Sequence, residues 1–302
     1  MINISELTTI FFQVDEFCKE YSNHLNTIGL EEFSDKKRRN KPSILSDSEI
    51  ITILIFFHAC RFRDLKSFYL GYVCQFLKTD FPKTVSYNRF TELCQKATPV
   101  MLLYLKMKRL GDCTGVSFVD STSLTVCHNK RIHQHKTFKD FAQRGHTSIG
   151  YFFGFKLHIC INDKGELLEF AFTKGNTDDR NPKVMDSLTD AIFGKLYADR
   201  GYISKALFQK LFDSGIHLIT KVKKNMKNQF ISLRDKILLR KRAVIESVYD
   251  ELKNLCQIEH TRHRSIGNFL SNLFSGLIAY SFFPKKPSLN LDFETSNQLT
   301  LF

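Results

Sequence analysis

The stretch "YFFGFKLHICIND", residues 151–163, constrains the fold more than any other part of this chain. Phe153, Phe155, Leu157, Ile159 and Ile161 alternate with Gly154, Lys156, His158 and Cys160, which is the two-residue period of a strand. "NDKG" at 162–165 supplies turn chemistry, and "ELLEFAFT" at 166–173 reads as the returning arm of a hairpin. A chain with such a hairpin builds a sheet around it, and its other elements have to cover the faces of that sheet.

The sequence changes character on the two sides of Gly111. Up to about residue 110 it is helix-periodic: "SELTTIFFQVDEFCKEYSNHL" offers Ser5 as an N-cap, and Ser46 with Glu49 forms a capping-box pattern ahead of "IITILIFFHACR". Further helices are predicted over 64–78 and 86–107, with "TDFPKT" as the turn between them. Beyond Gly111, "GVSFVDSTSL" at 115–124 reads as a buried strand ending on Asp120. After the hairpin come a helix over 181–193, the strand "KLYA" ending on Asp199, a helix near 204–214, the strand "GIHLITK" and a helix over 238–254. The expectation is an α/β catalytic domain, a mixed sheet flanked by helices, over 113–285. An all-helical N-terminal domain (1–112) precedes it, and a tail (286–302) follows.

Charge narrows the class of partner. The 302 residues carry 44 Lys and Arg against 31 Asp and Glu, a formal charge of +13. Such an excess favours a polyanion, because each cation placed on a phosphate releases a condensed counterion. Eight scattered cysteines without a CxxC pair point to free thiols in a reducing cytoplasm. The start of the chain lacks the pattern of a signal peptide. The longest apolar region, 269–283, is interrupted by Ser271, Asn272, Ser275 and Ser281 and is shorter than the roughly 20 residues of a membrane span. It reads as a buried helix, and no membrane partner is expected.

Three carboxylates stand where chemistry would use them. Asp120 and Asp199 each follow an apolar strand, and ends of strands are where α/β sheets place ligands. On the helix 238–254, Arg242, Glu246, Asp250 and Lys253 share one arc, while Val244, Val248, Leu252 and Leu255 lie opposite. Taken alone, that arc is also what an ordinary solvated face looks like. Two divalent cations held by such carboxylates activate a water or sugar hydroxyl and stabilise the leaving oxygen of a phosphodiester. Mg2+ takes hard oxygen ligands and keeps several waters, so two or three carboxylates are enough. Arg242 and Lys253 would then hold substrate phosphates.

At these residues the chain resembles a known family. "FVDST", "ADRGY" and the spacing R-x3-E-x6-K (Arg242, Glu246, Lys253) are similar to the three catalytic blocks of DDE transposases from bacterial insertion sequences. "CHNKRIHQHKTF", "AQRGHTS", "GFKLHICIND" and "RHRSIGNFLSNLFSGLIAYSF" are most similar to the family named for insertion sequence 982, over roughly residues 114–290. The resemblance implies an RNase H-like catalytic fold, two Mg2+ ions for which Mn2+ can substitute, cleavage at transposon ends and strand transfer into target DNA. It makes Asp120, Asp199 and Glu246 both the catalytic residues and the metal ligands. It also implies terminal inverted repeats and target DNA as partners, with at least two protomers acting together on the DNA. The family pattern has a Tyr three residues before the Arg; here that position is Leu239. Between Asp199 and Glu246 there is no room for a large inserted domain.

Basic residues supply the candidate DNA contacts. Lys130, Arg131, Lys136 and Arg144 lie in a loop-like segment; Arg200 follows Asp199, Lys241 and Arg242 precede Glu246, and Arg262 and Arg264 follow it. "KKRRNK" at 36–41 and "KVKKNMKNQ" at 221–229 extend the same chemistry. Cys127, His128, His133, His135 and His146 do not have a zinc spacing. Asp178 and Asp179 precede a helix, where N-capping is the simpler account. Two other functions remain open at this level: a catalytically silent DNA-binding descendant of such an enzyme, and an RNase H-like nuclease of other substrates.

Overall fold

A computed structural model describes residues 4–28, 43–148, 150–221, 231–259 and 263–289. The chain forms two compact units that interleave along the sequence. One comprises residues 1–110, 124–155 and 250–284, the other 111–123, 156–249 and 285–302.

The first unit is mainly helical. It contains α1 (Ile4–Ile28), α2 (Asp47–Ala59), a helical run made of α3 (Leu65–Ser67), a π-helical stretch (Phe68–Val73) and α4 (Cys74–Phe76), and then α5 (Tyr87–Tyr104). The helix α2 is apolar on every side, and α1, α5 and α10 (Ile266–Ser281) pack around it, as a helix without a polar face requires. Its N-terminus has the expected capping box: Ser46 Oγ accepts the Glu49 N–H at 3.2 Å, and Glu49 Oε2 accepts the Ser46 N–H at 2.7 Å. Ser5 is not the cap of α1, since the helix already includes Ile4. The apolar 269–283 region is the buried core of α10, and no described helix is long and apolar enough to cross a membrane.

The second unit holds the sheet. Its strands are β1 (Val116–Cys127), β3 (Gly150–Asn162), β4 (Leu167–Lys174), β5 (Gly194–Ala198) and β6 (Ile216–Thr220), although the far end of β1 and the start of β3 belong to the helical unit. There, β2 (Gln143–Thr147) pairs antiparallel with β3, from Gln143↔Gly154 to Thr147↔Gly150. β3 lies beside β1, β1 beside β5 and β5 beside β6, while β4 pairs with β3 across the "NDKG" turn. The β1–β5 and β5–β6 pairs are parallel, so each needs a crossover; between β5 and β6 it is α7 (Lys205–Asp213). This is the mixed, helix-flanked sheet that the sequence pattern predicts, in the RNase H-like arrangement that the resemblance implies.

Alternation assigns the two faces of the sheet. Val119, Cys160, Leu168, Leu196, Ala198, Ile216 and Leu218 form one core with Val184, Met185 and Leu188 of α6 (Pro182–Thr189) and with Leu207 and Leu211 of α7. Lys195 and Tyr197 point the other way, towards Asp235 of α8 (Leu233–Lys241), and Tyr197 stacks on Phe118 at 5.4 Å between centroids. Both faces of β3 are therefore covered: His158 and Cys160 are as buried as Leu157 and Ile159, where a half-exposed strand would have one wet face.

Candidate active site

Asp120 does not end its strand. β1 runs on to Cys127, with Leu124 and Val126 buried, so the carboxylate lies in mid-strand. Asp199 does stand just past the end of β5, where it caps the turn Arg200–Tyr202. The register explains why the two belong together. β1 and β5 pair in parallel through Phe118↔Tyr197, and two residues beyond that pair, on the same face by alternation, stand Asp120 and Asp199. Neighbouring strands are about 4.8 Å apart, so this arrangement brings two like charges side by side.

Helical residues close the site from the α8 side. The expected single helix over 238–254 is broken: α8 ends at Lys241, Arg242 caps it, and α9 (Val244–Asp250) starts afresh before a π-helical turn, Glu251–Leu255. The break frees Arg242 to bridge two acids. Its Nη1 donates to Asp120 Oδ2 at 2.9 Å, and its Nη2 reaches Glu246 Oε1 at 3.4 Å. Arg242 is thus engaged by both carboxylates in this arrangement. Tyr249, one turn beyond Glu246, donates its buried hydroxyl to the backbone carbonyls of Asp120 at 2.7 Å and Leu157 at 3.2 Å. This ties α9 to β1 and β3.

Burial holds the Asp120 carboxyl above the usual carboxylate range, and the nearby charge of Asp199 adds to the effect. The guanidinium of Arg242 and the Ser121 N–H, 2.9 Å from Asp120 Oδ1, pull in the opposite direction. Asp199 Oδ1 accepts the Gly201 N–H at 2.6 Å, and a Cβ on Gly201 would lie 2.8 Å from that oxygen, so a larger residue there would push on the Asp199 carboxylate. Glu246 is 64% exposed at its side chain and is reached by Arg242.

Sequence reasoning undervalued one acid. The cap of α6 is Asn181, and Asp178 binds the Arg180 side chain and N–H, so neither aspartate caps the helix. Asp179 instead turns towards the sheet. Its Oδ1 accepts Ser121 Oγ at 2.8 Å and Lys156 Nζ at 3.0 Å, with His158 Nδ1 3.7 Å away. Burial pushes His158 down to about 4, so it is neutral near pH 7. Burial also drives the Tyr202 and Tyr249 hydroxyls far up; for Tyr202 the charges of Asp179, Asp120 and Asp199 add to this.

The donor chemistry suits a hard divalent cation. Asp199 lies close enough to disfavour the charge of Asp120, and all the acidic donors are oxygens. Tyr202 Oη, buried and without a hydrogen-bond partner among the described residues, lies in the field of Asp179, Asp120 and Asp199, an orphan that the water shell of an ion would satisfy. As arranged, no group of three His, Cys, Asp or Glu side chains among the described residues is assembled to grip an ion.

The other candidates are dispersed. Arg200 and Lys241 are exposed on the sheet-bearing unit. Lys130, Arg131, Lys136 and Arg144 are exposed on the helical unit, as is Arg264. Lys253, also in that unit, pairs with Glu259 at 3.0 Å. Arg262, the 36–41 run and most of 221–229 fall outside the described residues. His128 caps the short turn Asn129–Gln134, His135 packs edge-on to Phe138, and His146 packs edge-on to Tyr151.

Residues 110–266 match the family model described as "Transposase DDE domain". No curated protein matches the chain. Among solved structures, a piggyBac transposase synaptic complex with hairpin DNA is similar at 10% identity and a TM-score of 0.47, over 90% of this chain and 70% of that one. A Mos1 transposase paired-end complex with left transposon end is similar at 14% and 0.24, over 67% and 66%. A Mos1 strand transfer complex is similar at 12% and 0.25, over 86% and 95%. Likenesses this distant say nothing about chemistry.

Proposed function

The chain belongs to the DDE-domain transposase family, and from that premise we propose that it cuts DNA at the ends of an element of the insertion sequence 982 type and joins those ends to target DNA. Asp120, Asp199 and Glu246 are the metal-holding acids of this reading. The observation that carries it is the register of β1 on β5, which aligns Asp120 with Asp199 on the face where Arg242 meets Glu246. Bound Mg2+ or Mn2+ would activate a water or a 3′ hydroxyl and stabilise the departing oxygen.

The protein's own groups do the rest. Asp120 and Asp199 offer oxygens from a rigid sheet, and Glu246 offers one from an exposed, less constrained position suited to adjusting as substrate enters. Arg242 offsets the charge of Asp120 and, when that acid turns to a cation, is free to fork onto a phosphate. Arg200 and Lys241 extend the positive surface of the sheet-bearing unit, and Lys130, Arg131, Lys136, Arg144, Lys253, Arg262 and Arg264 add phosphate contacts elsewhere. The helical residues 1–112 serve DNA binding, and 113–285 serve catalysis. Joining two ends in the cytoplasm calls for at least two protomers.

The test uses duplex DNA carrying the inverted repeats that flank the gene. Wild-type protein nicks it in Mg2+ or Mn2+, whereas Asp120→Ala, Asp199→Ala and Glu246→Ala do not, with circular dichroism unchanged. Normal cleavage by all three variants sinks this mechanism. Tight binding without scission in any metal would instead favour a silent DNA-binding protein.

A further inference from the structure

We propose that Asp179 is a positioning residue for Asp120, acting from behind the sheet through Ser121 and Lys156. This rests on the transposase reading for the role of Asp120, but its geometry stands by itself. Asp120 and Ser121 are neighbours in β1 and so project to opposite faces. The Asp120 side chain meets Arg242 on the α8 face, while Ser121 Oγ donates to Asp179 Oδ1 at 2.8 Å on the face covered by α6 and α7.

The same Asp179 oxygen accepts Lys156 Nζ at 3.0 Å, and Lys156, 13% exposed, donates again to the Thr177 carbonyl at 3.0 Å. One carboxylate oxygen thus gathers β1, β3 and the loop before α6. The loop is pinned at both Thr177 and Asp179, so the anchor is stiff. The pinned strand position is the one next to Asp120, whose own Oδ1 already accepts the Ser121 N–H. Rotation or slippage of β1 at Ser121 would therefore re-aim Asp120 directly.

Groups that orient metal-binding side chains in this way, without touching the metal, typically change metal affinity or activity by about 10–100-fold when removed. The experiment measures Mn2+ binding by titration calorimetry and, separately, the Mn2+ dependence of nicking on duplex carrying the gene's own flanks. The proteins are wild type, Asp179→Ala, Asp179→Asn, Ser121→Ala and Ser121→Ala/Asp179→Ala. Asp179→Ala is expected to raise the Mn2+ dissociation constant, and the Mn2+ needed for half-maximal nicking, by about 10–100-fold, with nicking recovering as Mn2+ increases. Asp179→Asn keeps an acceptor oxygen for Ser121 and Lys156 and recovers most of that loss. The double variant is no worse than Asp179→Ala, because the two groups act as one unit.

An Asp179→Ala protein that binds Mn2+ like wild type overturns the proposal, whatever happens to its melting temperature. So does an Asp179→Asn as weak as Asp179→Ala, since that result makes Asp179 a ligand in its own right. A wild type that binds no Mn2+ overturns it too. If Asp179→Ala does not fold, Asp179→Asn and Ser121→Ala carry the same comparison. Binding shifted as expected, with a wild type that nicks no duplex, would remove the transposase reading and leave the positioning role intact.

Discussion

Replacing Asp235 by Ala tests how α8, and with it Arg242, is held on the sheet. Asp235 is 8% exposed and stands at the N-terminal turn of α8. Its carboxylate accepts Lys195 Nζ at 2.8 and 3.1 Å, Tyr197 Oη at 2.7 Å and Ser232 Oγ at 2.7 Å. The largest loss falls on Tyr197, which is fully buried: its hydroxyl would be left without an acceptor, at a cost of about 1–3 kcal/mol. Lys195 is 41% exposed and would be rehydrated, so breaking that pair adds about 0–1 kcal/mol. Ser232 keeps its cap on the Asp235 N–H at 3.1 Å and adds little. Asp235→Ala should therefore cost about 2–3 kcal/mol in urea unfolding followed by circular dichroism, the chain having no Trp. Tyr197→Phe removes the orphan, so the double variant should be more stable than the sum of the singles by about 1–2 kcal/mol. Burial acts to raise the Asp235 pKa, but the Lys195, Ser232 and Tyr197 hydrogen bonds outweigh it and hold the pKa low. The ionic part of its contribution is thus present above about pH 4 and fades as pH falls below that, so the gap between wild type and Asp235→Ala should narrow there. A loss under about 0.5 kcal/mol at pH 7, or strict additivity with Tyr197→Phe, would refute the reasoning.

Tyr249→Phe, which removes the hydroxyl shared by the Asp120 and Leu157 carbonyls, should cost about 0.5–1.5 kcal/mol and lower the thermal midpoint by a few degrees in a circular dichroism melt. Gly154→Ala would set a Cβ 2.0 Å from the Leu124 carbonyl oxygen, a backbone atom that cannot step aside, and should cost about 2–3 kcal/mol or prevent folding; wild-type stability in urea would contradict the close approach. Single Ala substitutions at Lys130, Arg131, Lys136 and Arg144 should each lower the salt slope of DNA binding by about 1, measured by fluorescence anisotropy across a KCl series; an unchanged slope would separate this segment from the phosphates.

Local grammar explains what could be read from the chain. The β3–β4 hairpin and the Ser46–Glu49 capping box are each specified within a few residues, and both are present. The second half of β1 escaped notice because "STSLTVC" is rich in hydroxyls; only Leu124 and Val126 mark the alternation that carries the strand past Asp120. The break at Arg242 was invisible because apolar spacing continues smoothly from Leu238 and Leu239 into Val244 and Val248, all of them buried. Asp179 was misread for a different reason. Its partners Ser121 and Lys156 are distant in sequence, and turn chemistry at "NTDDR" offers a cheaper local explanation that tertiary contact overrides.

The same alternation that made β3 legible decides how the site is built. A strand shows consecutive residues to opposite faces, so a carboxylate in mid-strand is steadied best by a neighbour gripped from behind. A strand end has no continuing ladder to hold it, and at Asp199 the holding is done by its own turn through Gly201. Asp120 and Asp199 therefore reach one face by different means: one is braced by tertiary bonds from Asp179 and Tyr249, the other by local backbone. It follows that substitutions around Asp120 should act at long sequence range, through β3, α9 and the loop before α6, whereas those around Asp199 should be confined to the "DRGY" turn. Glu246, 64% exposed and braced among the described residues by Arg242, is left as the acid with room to move.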